Sequence, residues 1–242
     1  QGKLRKRHQL SSECTVLYED SQQRLYYATW FGEFFVRDKM SPARLLHPHM
    51  SVKGMCEDRH TGCFWLLTGG SEVWYFNPKG STVQSRFVQQ QIPASLRGAL
   101  FRQVVQDPRY HYLWVLAWDH IHVLRPAGNN QLEQISADGV FTPEKKTVSN
   151  IIQTREGDIW VAAFDAPSSV ICFKGNDFRS FSWQPQMQAT GYNPAIVTLC
   201  RDEGGWIWYY QETNGLYIYH PEEGGAPVRY SQCPAVSQLP LH

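Results

Sequence analysis

The segment Ala117-Trp118-Asp119-His120 sets an aromatic ring, a carboxylate and an imidazole side by side. Comparable mixtures recur in short polar stretches between apolar runs. Trp30 lies in "WFGE" (30–33), Asp165 in "AFDAPSS" (163–169), Glu212 and Asn214 in "QETNG" (211–215), and Arg97 in "QQQIPASLRG" (89–98). Rings beside carboxylates and amides suit a sugar, whose C–H faces stack on aromatic faces while its hydroxyls pair with polar groups. Trp30, Trp118, Asp119, His120, Asp165, Glu212, Asn214 and Arg97 are therefore the candidate ligand-binding residues. The plain alternative for each is a solvated loop residue or a packing ring.

Catalytic chemistry has less support. The loop carboxylates could form a glycosidase pair, but spacing in sequence does not set the separation of carboxyl groups that such a pair needs. No G-x-S-x-G elbow, H-E-x-x-H motif or phosphate-binding glycine loop is present, so no catalytic residue and no cofactor are expected. His120 and His122 in "HIH" would share one face of a strand, yet no third ligand accompanies them and no metal site is assigned. Cys14, Cys56, Cys63, Cys172, Cys200 and Cys233 include no CxxC pair and read mostly as buried small apolar residues.

The elements that must hold these loops repeat. Five segments share an apolar residue followed by an anchor aromatic: "DSQQRLYYATW", "DRHTGCFWLLTGG", "DPRYHYLWVLAWD", "TREGDIWVAAFD" and "DEGGWIWYYQETNG". The anchors are Tyr26, Trp65, Trp114, Trp160 and Trp208, spaced 39, 49, 46 and 48 residues apart. Before each anchor strand stands a polar turn, usually opened by Asp20, Asp58, Asp107 or Asp202, whose side chain can bond the turn's backbone. Gly62, Gly157 and Gly205 lie where such turns often require positive φ. A short apolar strand precedes each turn, as in "FRQVVQ". A third strand follows the anchor, stopped in three copies by Pro78, Pro126 or Pro221, and a more polar fourth closes the unit, as in "VQSRFVQ".

Four short strands per roughly 45 residues is the arithmetic of a propeller blade. The sequence thus predicts an all-β fold, a β-propeller of about five four-stranded blades, at approximately 12–40, 50–90, 99–136, 146–183 and 194–232 of a single 1–242 domain. The anchors are expected to pack between neighbouring blades. Residues 1–10, including "KLRKRHQ", read as an extra outer strand. Either five blades close with that strand swapped in, or the chain belongs to a larger propeller.

The run D-x-x-G-x-[LI]-W-[IV]-x-[TA], followed by a "GLYIYHP"-like strand, resembles the two-component regulator propeller repeat. "DEGGWIWYYQETNGLYIYHP" (202–221) is the nearest copy, and "TREGDIWVAAF" and "DRHTGCFWLLTGG" also match. The chain departs from the family where Gly-Thr usually follows the anchor strand: Ala28-Thr29, Leu67-Thr68, Leu116-Ala117 and Ala162-Ala163 stand there instead. The resemblance implies the sensor region of a Bacteroidetes-type hybrid histidine kinase, the periplasmic part of an inner-membrane protein. It further implies a non-catalytic module that senses an oligosaccharide and signals through dimer rearrangement, its partners being a second copy or the remaining blades of a parent sensor. A propeller enzyme, of glycosidase or streptogramin-lyase type, and a protein-binding scaffold are the competing readings.

Composition fits these expectations. With 23 basic and 22 acidic residues the chain is nearly neutral, which argues against nucleic acid as a partner. No apolar run approaches the roughly 18–20 residues that span a bilayer, so no membrane insertion of this segment is expected. The opening "QGKLRKRHQL" is basic without the apolar core of a signal peptide.

Overall fold

The computed structural model describes residues 10, 12–118, 120–135, 148–153, 157–163, 169–174, 182–188, 196–202, 204–211, 215–220 and 227–230. Its elements follow from alternating apolar runs of four to seven residues, rich in Val, Ile, Tyr and Trp, which suit half-buried pleated strands. The first sheet comprises β1 (Cys14–Glu19), β2 (Leu25–Thr29), β3 (Phe34–Arg37) and β4 (Arg44–His47). The second has β5 (Val52–Asp58), β6 (Cys63–Thr68), β7 (Val73–Phe76) and β8 (Phe87–Gln90). The third has β9 (Phe101–Gln106), β10 (Leu113–Ala117), β11 (His120–Gly128) and β12 (Gln131–Gln134). The fourth has β13 (Val148–Gln153), β14 (Ile159–Ala163), β15 (Ser169–Lys174) and β16 (Ser182–Gln188). The fifth has β17 (Ile196–Arg201), β18 (Ile207–Gln211), β19 (Gly215–Tyr219) and β20 (Val228–Arg229). Within each sheet the strands lie in chain order, as in a meander.

The turns between the first two strands use the expected aspartates. Asp20 Oδ1 accepts from the amides of Gln22 (3.0 Å) and Arg24 (2.8 Å), and Oδ2 takes the Arg24 guanidinium at 2.6 Å. Asp58, Asp107 and Asp202 each accept one turn amide, from His60, Arg109 and Trp206. Left-handed backbone occurs at Gly62, Gly157 and Gly205, and in the other two turns at Gln23 and His111. A carboxylate that bonds the backbone holds such a turn even where no glycine relieves it.

Contacts divide the chain into two units, Gln1–Val104 with Ala127–Leu132, and Val105–Pro126 with Glu133–His242. In the first, β2 and β3 pack on β5 to β8 through Tyr26, Phe34, Phe64, Phe76 and Phe87. The rings of Tyr26 and Phe64 lie 4.8 Å apart and those of Phe76 and Phe87 4.7 Å apart. Gly54 on β5 approaches β9 so closely that a Cβ there would lie 2.8 Å from the Arg102 carbonyl oxygen. In the second unit, Trp114, Leu116, Ile151 and Val161 share one core, and Trp160, Leu199, Ile207 and Tyr209 share another.

One irregularity recurs. The first strand slips register against its neighbour at Cys14/Val16, Val52/Gly54, Val148/Asn150 and Ile196/Thr198. Each slip leaves one residue outside the ladder: Thr15, Lys53, Ser149 or Val197. A bulge of this kind re-aims the extra side chain. Thr15 Oγ1 donates to the Val52 carbonyl at 2.9 Å, and Ser149 Oγ to that of Ala162 at 3.3 Å.

Three details differ from the sequence expectation. "VQSRFVQ" is not one strand: Val83–Arg86 form a helical turn, α1, capped by Thr82, whose Oγ1 accepts from the Ser85 amide at 3.1 Å. β11 does not stop at Pro126. Its pairing with β10 ends at Leu113↔Leu124, so the missing proline amide leaves no bond to β10 unmade. Arg44–His47, between the blades expected at 12–40 and 50–90, pair with β3 as β4. Residues 1–9 and Pro221 lie outside the described residues.

Candidate functional site

The loops joining the second and third strands of the first two sheets are built by a shared brace. In the first sheet Thr29 Oγ1 donates to Glu33 Oε2 at 3.1 Å and the Thr29 amide to the Glu33 carbonyl at 2.9 Å. In the second sheet Thr68 and Glu72 repeat both bonds, at 3.1 and 3.0 Å, and Trp74 Nε1 adds a third at 2.9 Å. Both carboxylates are thus committed to holding their hairpins.

The first brace carries two rings outward. Trp30 is 63 % exposed and Phe31 69 %. Their backbone is fixed: the Trp30 amide donates to the Glu13 carbonyl at 2.8 Å, and Gly32, at φ +87°, accepts from the Met50 amide at 2.6 Å. Further bonds link the neighbouring loops of the first unit. The Gly69 amide donates to the Ser51 carbonyl at 3.1 Å, and Ser71 Oγ to the Ala99 carbonyl at 2.6 Å. The last bond brings in the blade-joining segment with Arg97, which is exposed at the end of a short 3-10 turn, Ala94–Leu96. Lys53, the bulge residue of β5, sets its ammonium 4.4 Å from the centroid of the Trp30 ring. The lysine stem passes Gly69, where a Cβ would meet Lys53 Cε at 3.4 Å, about van der Waals contact.

In the second unit, Trp118 is 62 % exposed and left-handed at φ +53°. His120 opens β11, exposed and paired with Ala117. His122 is half-buried with Nδ1 3.4 Å from Gln134 Nε2, and burial, then the neighbouring His120, lower its pKa from 6.5. No three His, Cys, Asp or Glu converge among the described residues. Asp119, Asp165, Glu212 and Asn214 lie outside the described residues. Trp30 and Arg97 are thus exposed in the first unit, and Trp118 and His120 in the second.

Tyr26, Trp65, Trp114 and Trp160 are buried. Trp208 differs and is half-buried. On β18, Ile207 and Tyr209 enter the core shared with β14, so Trp208 points to the opposite face. There its indole donates to Asp202 Oδ2 at 2.7 Å and its ring meets Tyr230 at 5.8 Å.

Sequence reasoning passed over Phe31 and Lys53. Phe31 directly follows Trp30 in the same loop and could have been taken with it. Lys53 carries no such sign, because only the bulge aims it.

This arrangement of successive four-stranded meanders is a β-propeller. Solved structures with the same fold include the extracellular domain of BT4673, ascribed to a hybrid two component system, from B. thetaiotaomicron (15% identity, TM-score 0.62, covering 90% of this chain and 28% of that one). The corresponding BT3049 domain from B. thetaiotaomicron is similar at 17% identity and TM-score 0.59, over 87% of this chain and 28% of that one. A gluconolactonase from Xanthomonas campestris is similar at 11% identity and TM-score 0.60, over 90% of this chain and 75% of that one. The chain thus spans just over a quarter of the two sensor domains. No protein-family model matches the sequence, and no curated protein matches it. Among the described residues no helix is long and apolar enough to cross a membrane.

Proposed function

We propose that this propeller is a ligand-sensing region of a hybrid two-component sensor, extracytoplasmic and non-catalytic, and that it recognises an oligosaccharide through its exposed loop aromatics. The observation that carries the reading is the pair Trp30–Phe31. Two large rings stand in solvent on a hairpin whose backbone is bonded at Thr29, Trp30 and Gly32. Such a platform binds a sugar face with reduced ordering cost, because the backbone that carries the rings is already held. The repeat motif and the likeness to two sensor domains support the class. Ligand binding would be relayed through a second copy or through further blades of the parent protein.

The test is a screen of the purified chain against an oligosaccharide array, repeated with Trp30→Ala. Retention of a glycan that weakens at least about tenfold in the variant, roughly 1.4 kcal/mol, supports the reading. Retention of no glycan sinks it.

The likeness to a gluconolactonase favours a second reading, that of a propeller hydrolase. Glu33 and Glu72 serve that reading poorly, since each is engaged by its threonine. Lactone turnover by the purified chain would establish it.

A further inference from the structure

We infer that the Trp30 surface of the first unit is a subsite for an acidic sugar, a uronate or a sulfated residue. This rests on the oligosaccharide reading above and narrows it to one chemical class.

The bulge of β5 is the first ground. At the equivalent slip of the other sheets Thr15 and Ser149 are short, and their hydroxyls bond a backbone carbonyl. Lys53 makes no such bond. Its stem instead passes Gly69 and carries the ammonium over Trp30. A charge at that place does not stabilise the ladder. It sits against an exposed ring on a side of the hairpin where solvent, or a ligand, has access.

The local balance of charge is the second. Of the acids around this hairpin, Glu33 and Glu72 are turned to Thr29, Thr68 and Trp74, while Glu13, whose carbonyl takes the Trp30 amide, is exposed. Among the described residues no ion pair engages Lys53 or Arg97. Among the described residues Lys53 thus stands beside the Trp30 ring as a cation with no carboxylate paired to it. An ammonium on a π face keeps N–H donors directed away from the ring. A pyranose stacked against Trp30 or Phe31 would deliver a carboxylate or sulfate to those donors, a charge-assisted bond roughly twice as strong as one to the hydroxyl of a neutral sugar.

Calorimetric titration of the 242-residue chain distinguishes the possibilities. The probes are trigalacturonate, a sulfated chondroitin disaccharide, and neutral maltotriose and cellotriose, with polyglutamate as a non-saccharide anion. The expected result is that at least one acidic sugar binds about tenfold or more tighter than either neutral one. Lys53→Met should remove that advantage, Lys53→Arg should keep it, and Trp30→Ala should weaken binding, with thermal melts showing that each variant is folded. Raising salt should weaken the acidic probes alone. Equal binding of neutral sugars, or acidic binding unchanged in Lys53→Met and Trp30→Ala, overturns the acidic subsite and leaves oligosaccharide sensing standing. Polyglutamate binding as tightly as the sugars overturns it in favour of an acidic peptide. Failure of every probe to bind overturns both.

Discussion

Single residues tie neighbouring sheets together in ways that can be measured. Gly54 lies against the backbone of β9, so a methyl group at Gly54→Ala meets Arg102 O at 2.8 Å and Gln103 Cα at 3.2 Å. Backbone cannot swing aside as a side chain can, and overpacking of this kind costs roughly 1–3 kcal/mol. The thermal midpoint of Gly54→Ala should fall by about 2–4 °C for each kcal/mol lost. Glu57 makes another tie: its carboxylate accepts from the Ser21 amide at 2.8 Å and hydroxyl at 2.6 Å, while its own amide donates to the Tyr18 hydroxyl at 3.0 Å. Burial is the largest cause that pushes the Tyr18 phenol from 10.0 up to about 12. The folded state therefore holds that proton more tightly than the unfolded chain does. The stability it contributes is complete below pH 10 and is lost as pH rises through about 12. Thermal midpoints measured from pH 9 to 12 should drop, and Tyr18→Phe should shallow the drop.

At the scale of the strands, the anchors divide by what covers them. Trp114 is fully buried between β10 and the sheet of β13 and β14, whereas Trp208 is half-buried beside Tyr230. Trp114→Ala should cost about 3–5 kcal/mol and Trp208→Ala roughly 1–2 kcal/mol, read from urea unfolding. The strands themselves were legible because period-two apolar runs, aspartate turns and anchor aromatics recur at a nearly constant interval. β4 escaped because Leu45 faces solvent in "RLLH", so the segment shows no clean alternation. The first turn of "VQSRFVQ" became helix because Thr82 and Ser85 bond each other's amides, a local preference that strand periodicity does not register. In the candidate site, Trp30 and Arg97 could be picked from their loops. Lys53 could not, because its direction depends on a register slip that leaves no trace in residue type.

The molecule as a whole shares its fold with sensor domains and with a lactonase, so the fold does not choose between binding and turnover. The choice falls to the loops. If oligosaccharide sensing is right, ligand should raise the thermal midpoint in proportion to the logarithm of its concentration over Kd, since binding to the folded state alone stabilises it. Differential scanning fluorimetry with the glycan selected on the array reads this directly, and an unchanged midpoint at saturating glycan would count against specific binding to the folded propeller.

The recurring bulge has an evolutionary consequence. A residue that stands outside the ladder can be exchanged without altering strand pairing, and the four slips already hold Thr, Lys, Ser and Val. One codon at each of these four slips can therefore change while the pairing around it stays constant. Paralogues built on this repeat can diverge in what they recognise faster than in how they fold, and residue 53 is the first place to look for that divergence.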